Sequence, residues 1–273
     1  MPLLGVLADG REVAIKVQYP GVADSISSDL NNLGSLLKML GILPKGMRPA
    51  GVLRGFQENT LRVAQDELLW ETDYHREAEA TMKMKELLSD EEIFVVPTVI
   101  PEMSSKKVLT TELLDGQPIE HVVKDDQKTR DMIGLLDFGA CRDFNKSFTD
   151  EYMRVIYFAA KQDREGIIDA SRKLKFLTGE EPPIMNEAHC SAVMILGEPF
   201  AKPGPFNFGA QNVTQRIHEL IPTMLKYRLT PPPTETYSLH RKLSGAFLLC
   251  AKLQAQFACQ PMFMDLYRKC GPQ

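Results

Sequence analysis

Cysteine is scarce in this chain of 273 residues, and none of it falls into a recognisable pairing. Cys141, Cys190, Cys250, Cys259 and Cys270 are odd in number and widely spaced, with no Cys-x-x-Cys among them. That excludes a zinc knuckle or a thioredoxin-type motif and leaves free, mostly buried thiols of a reducing compartment as the expectation. No apolar run approaches the roughly 20 residues that cross a bilayer. The opening Met1-Pro2-Leu3-Leu4-Gly5 has neither a basic n-region nor an Arg-rich amphipathic presequence. These signals alone predict a soluble, intracellular protein. An excess of basic charge is also missing: 32 Lys and Arg face 36 Asp and Glu, so nucleic acid is not an expected partner. The histidines, His75, His121, His189, His218 and His240, form no His-Glu-x-x-His and no close pair, and there is no Gly-x-Ser-x-Gly elbow. Internal repeats and low-complexity tracts are absent.

What remains is an ordinary globular composition, enough for one two-lobed domain or two small ones. Asp9-Gly10 is a strong turn signal between Leu4–Ala8 and Glu12–Gln18, predicting a hairpin. In its second strand Val13, Ile15 and Val17 alternate with Ala14, Lys16 and Gln18. Helical periodicity follows over Val22–Leu40, and again as one long helical region over about Ala50–Ser89. Aliphatic runs at Ile93–Val96, Val108–Leu114 and Ile133–Leu136 predict short strands, the last delivering Asp137-Phe138-Gly139, while Pro118–Val123 and a charged stretch over Lys124–Asp131 come between the last two. Beyond Phe148 the pattern is helical, over Thr149–Gln162, Glu165–Leu177, Asn186–Leu196, Thr214–Tyr227 and Thr234–Phe257, with proline-rich separators.

Two segments could carry chemistry together. Val13-Ala14-Ile15-Lys16 is a strand whose lysine faces away from its β-branched neighbours, as suits a lysine that holds nucleotide phosphates; alone, such a lysine is more often simply solvated. Asp137-Phe138-Gly139 follows an apolar strand, where an aspartate can hold a phosphate-bridging metal and glycine lets the chain turn; alone, it is a common turn. In this order and setting the pair points to a kinase-type site, which also needs a helix glutamate to pair with the lysine. Asp73 and Glu77 are four apart and share a helix face, whereas Glu71 and Asp73 do not; a solvated acidic face is the plainer alternative.

Longer stretches carry a closer resemblance. Arg11-Glu12-Val13-Ala14-Ile15-Lys16-Val17-Gln18-Tyr19-Pro20-Gly21-Val22 resembles the lysine strand of the UbiB or aarF-domain atypical kinases. Glu71-Thr72-Asp73-Tyr74-His75-Arg76-Glu77-Ala78 resembles that family's Glu-x-Asp element and its Gln-Arg-Glu-Ala sequence, with His75 in place of the usual glutamine. Leu135–Ala140 resembles its metal-binding strand end. Lys175–Gly179, Ile195–Phe200 and Arg228–Lys242 look like the mitochondrial branch that supports coenzyme Q biosynthesis. The resemblance implies an α+β, protein-kinase-like two-lobed fold: a β-containing N-lobe with inserted helices over 1–118, then a helical C-lobe over 119–273. It implies ATP or ADP with Mg2+ as cofactors, and ATPase or unorthodox kinase activity. Coenzyme Q-pathway enzymes, and lipid or quinone intermediates, are the partners it suggests, on the matrix side of the mitochondrial inner membrane with peripheral membrane contact. By matching position, Lys16 would be the phosphate lysine and Glu77 its partner. Glu71 and Asp73 would be the Glu-x-Asp acids, Asp137 the metal ligand, and Glu112 and Leu113 the adenine-contacting hinge.

Departures from the family are equally legible. Only Met1–Leu7 precede the hairpin turn, so the Lys-x-Gly-Gln element, the alanine-rich nucleotide loop and the presequence are expected to be lacking. No asparagine occurs between Asn59 and Asn145, and only Glu120–Leu136 separate the hinge region from Asp137. A catalytic-loop aspartate and asparagine with their flanking helix need several dozen residues there. The expectation is a segment deleted near Met132-Ile133, no catalytic residue, and apolar C-lobe faces left uncovered around Ala246–Leu249, Ile217, Leu220 and Leu225. Three readings stay open: a spliced or mis-assembled form of a coenzyme Q kinase-like protein, a nucleotide-binding pseudokinase or scaffold, and an active enzyme with a rearranged site.

Overall fold

The computed structural model describes residues 3–39, 62–119, 121 and 132–272. Among them the chain divides into two compact units, one ending at Asp143 and the other taking Phe144 onward. The first unit is built on a hairpin of β1 (Leu3–Val6) and β2 (Glu12–Val17), with Leu3 opposite Ile15 and Val6 opposite Glu12. Gly10 takes φ +90°, which an L side chain resists, so the Asp9-Gly10 signal is used as expected. Strand β4 (Val108–Glu112) pairs with the other edge of β2, setting Lys16 opposite Leu109. Directly opposed residues of an antiparallel pair share a face. Leu109 packs with Tyr74, Ala78 and Val99, so the lysine lies on the helix-covered side of the sheet.

Helix α1 spans Val22–Met39. The long helical region expected over Ala50–Ser89 is broken: residues 62–71 are helical (α2), and α3 runs Tyr74–Leu87. The break lies at Asp73, which is extended at φ -98° and ψ 94° and whose carboxylate accepts from the backbone N–H groups of His75 and Arg76. A short acid that can bond its own downstream amides stabilises a new helix start more than it stabilises helix continuation. Strand β3 (Phe94–Val95) pairs in parallel with β5 (Ile133–Gly134), and the Leu135 N–H extends that pairing to the Val95 carbonyl at 2.8 Å. Half of the Pro118–Val123 stretch, and all of the charged run 124–131, lie outside the described residues.

The second unit is helical: α4 (Lys146–Ala160), α5 (Arg164–Lys173), α6 (Pro183–Ala201), α7 (Val213–Tyr227), α8 (Thr234–Lys252) and α9 (Cys259–Cys270). Helices α4 and α6 cross closely at Gly197, where a Cβ would stand 2.6 Å from that of Ala159. Val155, Ile167, Met185 and Phe148 fill the core around that crossing. The last expected helix ends earlier than Phe257. Leu253 caps α8 and Gln254 turns left-handed at φ +52°, which frees β7 (Gln256–Phe257) to pair with β6 (Phe206–Asn207). Of the faces expected to be uncovered, Phe247 is buried with Ile217 and Leu220 against it, while Leu248 and Leu249 are exposed.

His189 on α6 is buried and its Nε2 lies 2.8 Å from the Ser171 hydroxyl. Burial, reinforced by the positive charge of Arg228, pushes its pKa down to about 3, against a weaker opposing pull from Glu181. A histidine depressed in the folded state stabilises the fold above its unfolded value and loses that contribution as pH falls toward the folded one. Urea denaturation should therefore show stability dropping between pH 6.5 and 5, by at most about 1.4 kcal/mol per pH unit from this proton. His240, whose pKa desolvation pushes down to about 4, adds to the same slope, so His189→Gln should reduce it by about half; an unchanged slope would show that His189 is not taking up a proton there.

Candidate functional site

The site grows from the start of α3. With Asp73 fixed as the cap, Tyr74 opens the helix and Glu77 comes one turn later, beneath β2. Its side chain is 1% exposed, and both carboxylate oxygens accept from Lys16 Nζ, at 2.9 and 2.8 Å. The ammonium also sits 5.0 Å from the centroid of the Tyr74 ring and 3.8 Å from Asp137 Oδ2. Burial works against the lysine's charge, but the hydrogen bond and charge of Glu77, helped by Asp137, outweigh it and hold the pKa above the usual lysine value. Burial pushes the Glu77 carboxyl up, and the Lys16 hydrogen bond opposes this without cancelling it.

Asp137 arrives from β5 on a tight turn. Its Oδ1 accepts from the Gly139 N–H at 3.1 Å, and the Cys141 N–H closes onto the Phe138 carbonyl at 3.0 Å. Phe138 is buried while the Asp137 side chain is 74% exposed, so apolar burial anchors the turn and leaves the carboxylate accessible. Gly139 lies directly against the ion pair, for a Cβ there would be 3.4 Å from Glu77 Oε2 and 3.6 Å from the Cα of Glu71. Arg76, the residue before Glu77, donates to the Gly139 carbonyl at 2.7 Å and to the Cys141 carbonyl, and its guanidinium lies 4.7 Å from the Trp70 ring centroid.

Lys16, Glu77 and Asp137 thus converge. The other expected site residues are placed differently. The Asp73 carboxylate is engaged as the cap of α3, and Glu71 sits with its backbone against the Gly139 turn. Glu112 ends β4 opposite Val13, three residues along β2 from Lys16, a separation of about 10 Å at the rise of a strand. Hydrogen bonds from the Thr98 hydroxyl and N–H, with the Lys85 charge, hold its carboxyl below the usual range. The Leu113 N–H donates to the Glu12 carbonyl at 3.0 Å. Arg76 and Trp70 carried no expected role; the visible signal was an arginine next to the glutamate, but its target is set by a turn more than 60 residues away.

Among the described residues, no three His, Cys, Asp or Glu side chains are grouped to hold a metal. An exposed hard-oxygen carboxylate next to an ammonium instead suits Mg2+ carried on phosphates, since that ion keeps several waters and takes one or two carboxylates. Asp137 could supply the carboxylate, and Lys16 a phosphate contact.

An ammonium held between a helix glutamate and a strand-end aspartate, on a small antiparallel sheet, is the arrangement of a protein-kinase-like domain. Residues 4–133 match the ABC1 atypical kinase-like domain, and the chain belongs to that atypical kinase family. It is 46% identical over 299 aligned positions to "Atypical kinase COQ8B, mitochondrial" of Danio rerio, covering 96% of this chain and 47% of the relative. It is 38% identical over 299 positions to "Atypical kinase COQ8, mitochondrial" of Saccharomyces cerevisiae, covering 96% and 58%. The chain therefore spans about half the length of the curated relatives it matches. Both alignments are longer than the 273 residues of this chain, so the relatives carry internal residues without a counterpart here. In fold it is similar to the Rv3197–erythromycin complex structure from Mycobacterium tuberculosis, with a TM-score of 0.62 and 17% identity over 97% of this chain and 73% of that one.

Removing Lys16 would strand the buried Glu77 carboxylate. A carboxyl with a raised folded pKa stabilises most below its unfolded value and loses that as pH rises. Lys16→Met should therefore cost little near pH 5 and about 2 kcal/mol near pH 8, less than a fully enclosed pair because the lysine is partly exposed. Denaturant melts at the two pH values test this, and an equal loss at both would contradict a stranded carboxylate.

Proposed function

We propose that this chain is an atypical kinase-like protein that binds ATP or ADP with Mg2+ and supports coenzyme Q biosynthesis in mitochondria, and that its phosphoryl chemistry is impaired. The observation that carries the nucleotide reading is the convergence of the Lys16 ammonium on a buried Glu77 and an exposed Asp137. In this reading Lys16 contacts phosphate oxygens, Glu77 fixes the lysine, and Asp137 holds the metal, which when bound neutralises phosphate charge. Glu112 and Leu113 form the adenine-side hinge, while Glu71 and Asp73 act through the helix start and turn they frame. Residues 1–118 serve as the N-lobe and 119–273 as the helical C-lobe.

The pathway and the compartment are supported by the COQ8 and COQ8B relatives, each named mitochondrial. Coenzyme Q-pathway enzymes and lipid or quinone intermediates are the proposed partners, met from the matrix side of the inner membrane. The proposed membrane contact is peripheral; no helix among the described residues is long and apolar enough to cross a membrane.

Impairment is supported by two facts. The relatives contain internal residues that have no counterpart in this chain. The short interval before Asp137 contains no asparagine. A site of this kind can bind nucleotide without an aspartate to orient an acceptor.

The test is a thermal-shift titration with ADP and with ATP, in MgCl2 and in EDTA, alongside phosphate release. Wild-type protein should be stabilised by nucleotide more strongly with Mg2+, and Lys16→Ala and Asp137→Ala should each abolish the magnesium-dependent shift. Phosphate release should stay at the level of the Asp137→Ala control. A well-folded wild-type chain with no shift would reduce the protein to an interaction scaffold, and turnover well above the control would refute impairment. Inserting the relatives' unmatched segment between Met132 and Ile133 should raise turnover if that is where the catalytic loop belongs.

A further inference from the structure

The turn that presents Asp137 is not held by its own strand alone. Strand β5 has two ladder residues, too few to fix the position of a side chain three residues further on. What spans the turn is Arg76, whose two terminal nitrogens donate to the carbonyls of Gly139 and Cys141, residues that stand on either side of Ala140. The guanidinium is itself placed by the Trp70 ring at 4.7 Å, against which Arg142 also lies at 5.8 Å. A planar fork of donors reaching two carbonyls restrains both distance and tilt of the turn, which a single ammonium cannot do.

Arg76 is also adjacent to Glu77. Successive helix residues project about 100° apart, so one turn of α3 sends Glu77 to Lys16 and Arg76 to the Asp137 turn. The two arms meet again at the 3.8 Å approach of Lys16 Nζ to Asp137 Oδ2. Displacing α3 would break both at once.

We propose that Arg76 is a positioning residue that clamps the 137–141 turn and sets the placement of the Asp137 carboxylate for a metal-bound nucleotide. The consequence for affinity rests on the nucleotide reading above, while the clamp itself does not. Arg76 touches neither phosphate nor metal in this scheme, so its loss should leave the Lys16 contact intact and act on the magnesium-dependent part of binding.

The experiment compares the wild-type chain of 273 residues with Arg76→Lys and Arg76→Gln, using two readouts. Hydrogen–deuterium exchange over 137–142 reports the turn directly, through the Gly139 and Cys141 amides. ADP affinity is measured in MgCl2 and in EDTA. Both variants should speed exchange at the turn by about tenfold, the loss of roughly 1.4 kcal/mol of restraint. Affinity for ADP in EDTA should stay within about twofold of wild type, while the gain from magnesium should fall by about tenfold. Arg76→Lys keeps the positive charge while removing the planar fork, so it guards against a folding defect in Arg76→Gln. If exchange is unchanged in Arg76→Lys, the clamp is wrong. If exchange rises but the magnesium gain survives, the turn does not set Asp137 and the positioning claim fails. If wild-type protein binds no ADP yet exchange rises in the variants, the clamp stands and the nucleotide reading is what falls.

Discussion

A carboxylate that is 1% exposed must be answered by a cation, and in this protein the answer is Lys16. The other placements in the first unit follow from that demand. Lys16 must project from the helix-covered face of β2, which fixes the register that sets it opposite Leu109. Helix α3 must lie close enough for Glu77 to reach the strand, which the packing of Tyr74 and Ala78 on Leu109 and Val99 provides. The Asp137 turn lies beside the pair, with Gly139 at contact distance from Glu77. An ion pair of this kind contributes little net stability in general, because desolvation offsets most of the attraction. Its effect here is on geometry, since a misplaced helix would leave a charge buried and unpaired.

Much of this was legible in the sequence because the signals are local. The Asp9-Gly10 turn, the alternation that isolates Lys16, and the apolar strand ahead of Asp137 are each complete within a few residues. The pairing of Lys16 with Glu77 is not local, and it came from the resemblance of Glu71–Ala78 to a family element. Periodicity by itself placed Asp73 and Glu77 together on one helix face. The structure separates them: Asp73 ends one helix and begins another, and only Glu77 faces the strand.

What stayed hidden has a common cause. The interruption at Asp73 is a competition between a side-chain cap and helix continuation, and apolar spacing does not register it. The parallel pairing of Phe94–Val95 with Ile133–Gly134 is a two-residue contact between segments nearly 40 residues apart, with no turn chemistry to announce it. The end of α8 depends on Gln254 adopting a left-handed conformation so that Gln256–Phe257 can meet Phe206–Asn207, again a partner distant in sequence. Arg76 is the plainest case. Its residue type and its place in a recognisable motif were visible, but a guanidinium on a helix has many possible targets, and the carbonyls it bridges become a target only once the turn exists.

The contacts that place Asp137 all come from the first unit: the ladder to Phe94–Val95, the burial of Phe138, the Gly139 amide and the Arg76 fork. None of them is a contribution of the kind a catalytic loop makes, which is to orient an acceptor and hold a second metal. In the proposed reading, positioning of phosphate and metal on one side, and activation of an acceptor on the other, would be carried by different parts of a kinase-like domain. Loss of the second does not by itself dismantle the first. A chain that keeps the Lys16, Glu77 and Asp137 arrangement while missing residues its relatives possess is consistent with that separation, because the forces holding the arrangement are internal to the segments that remain.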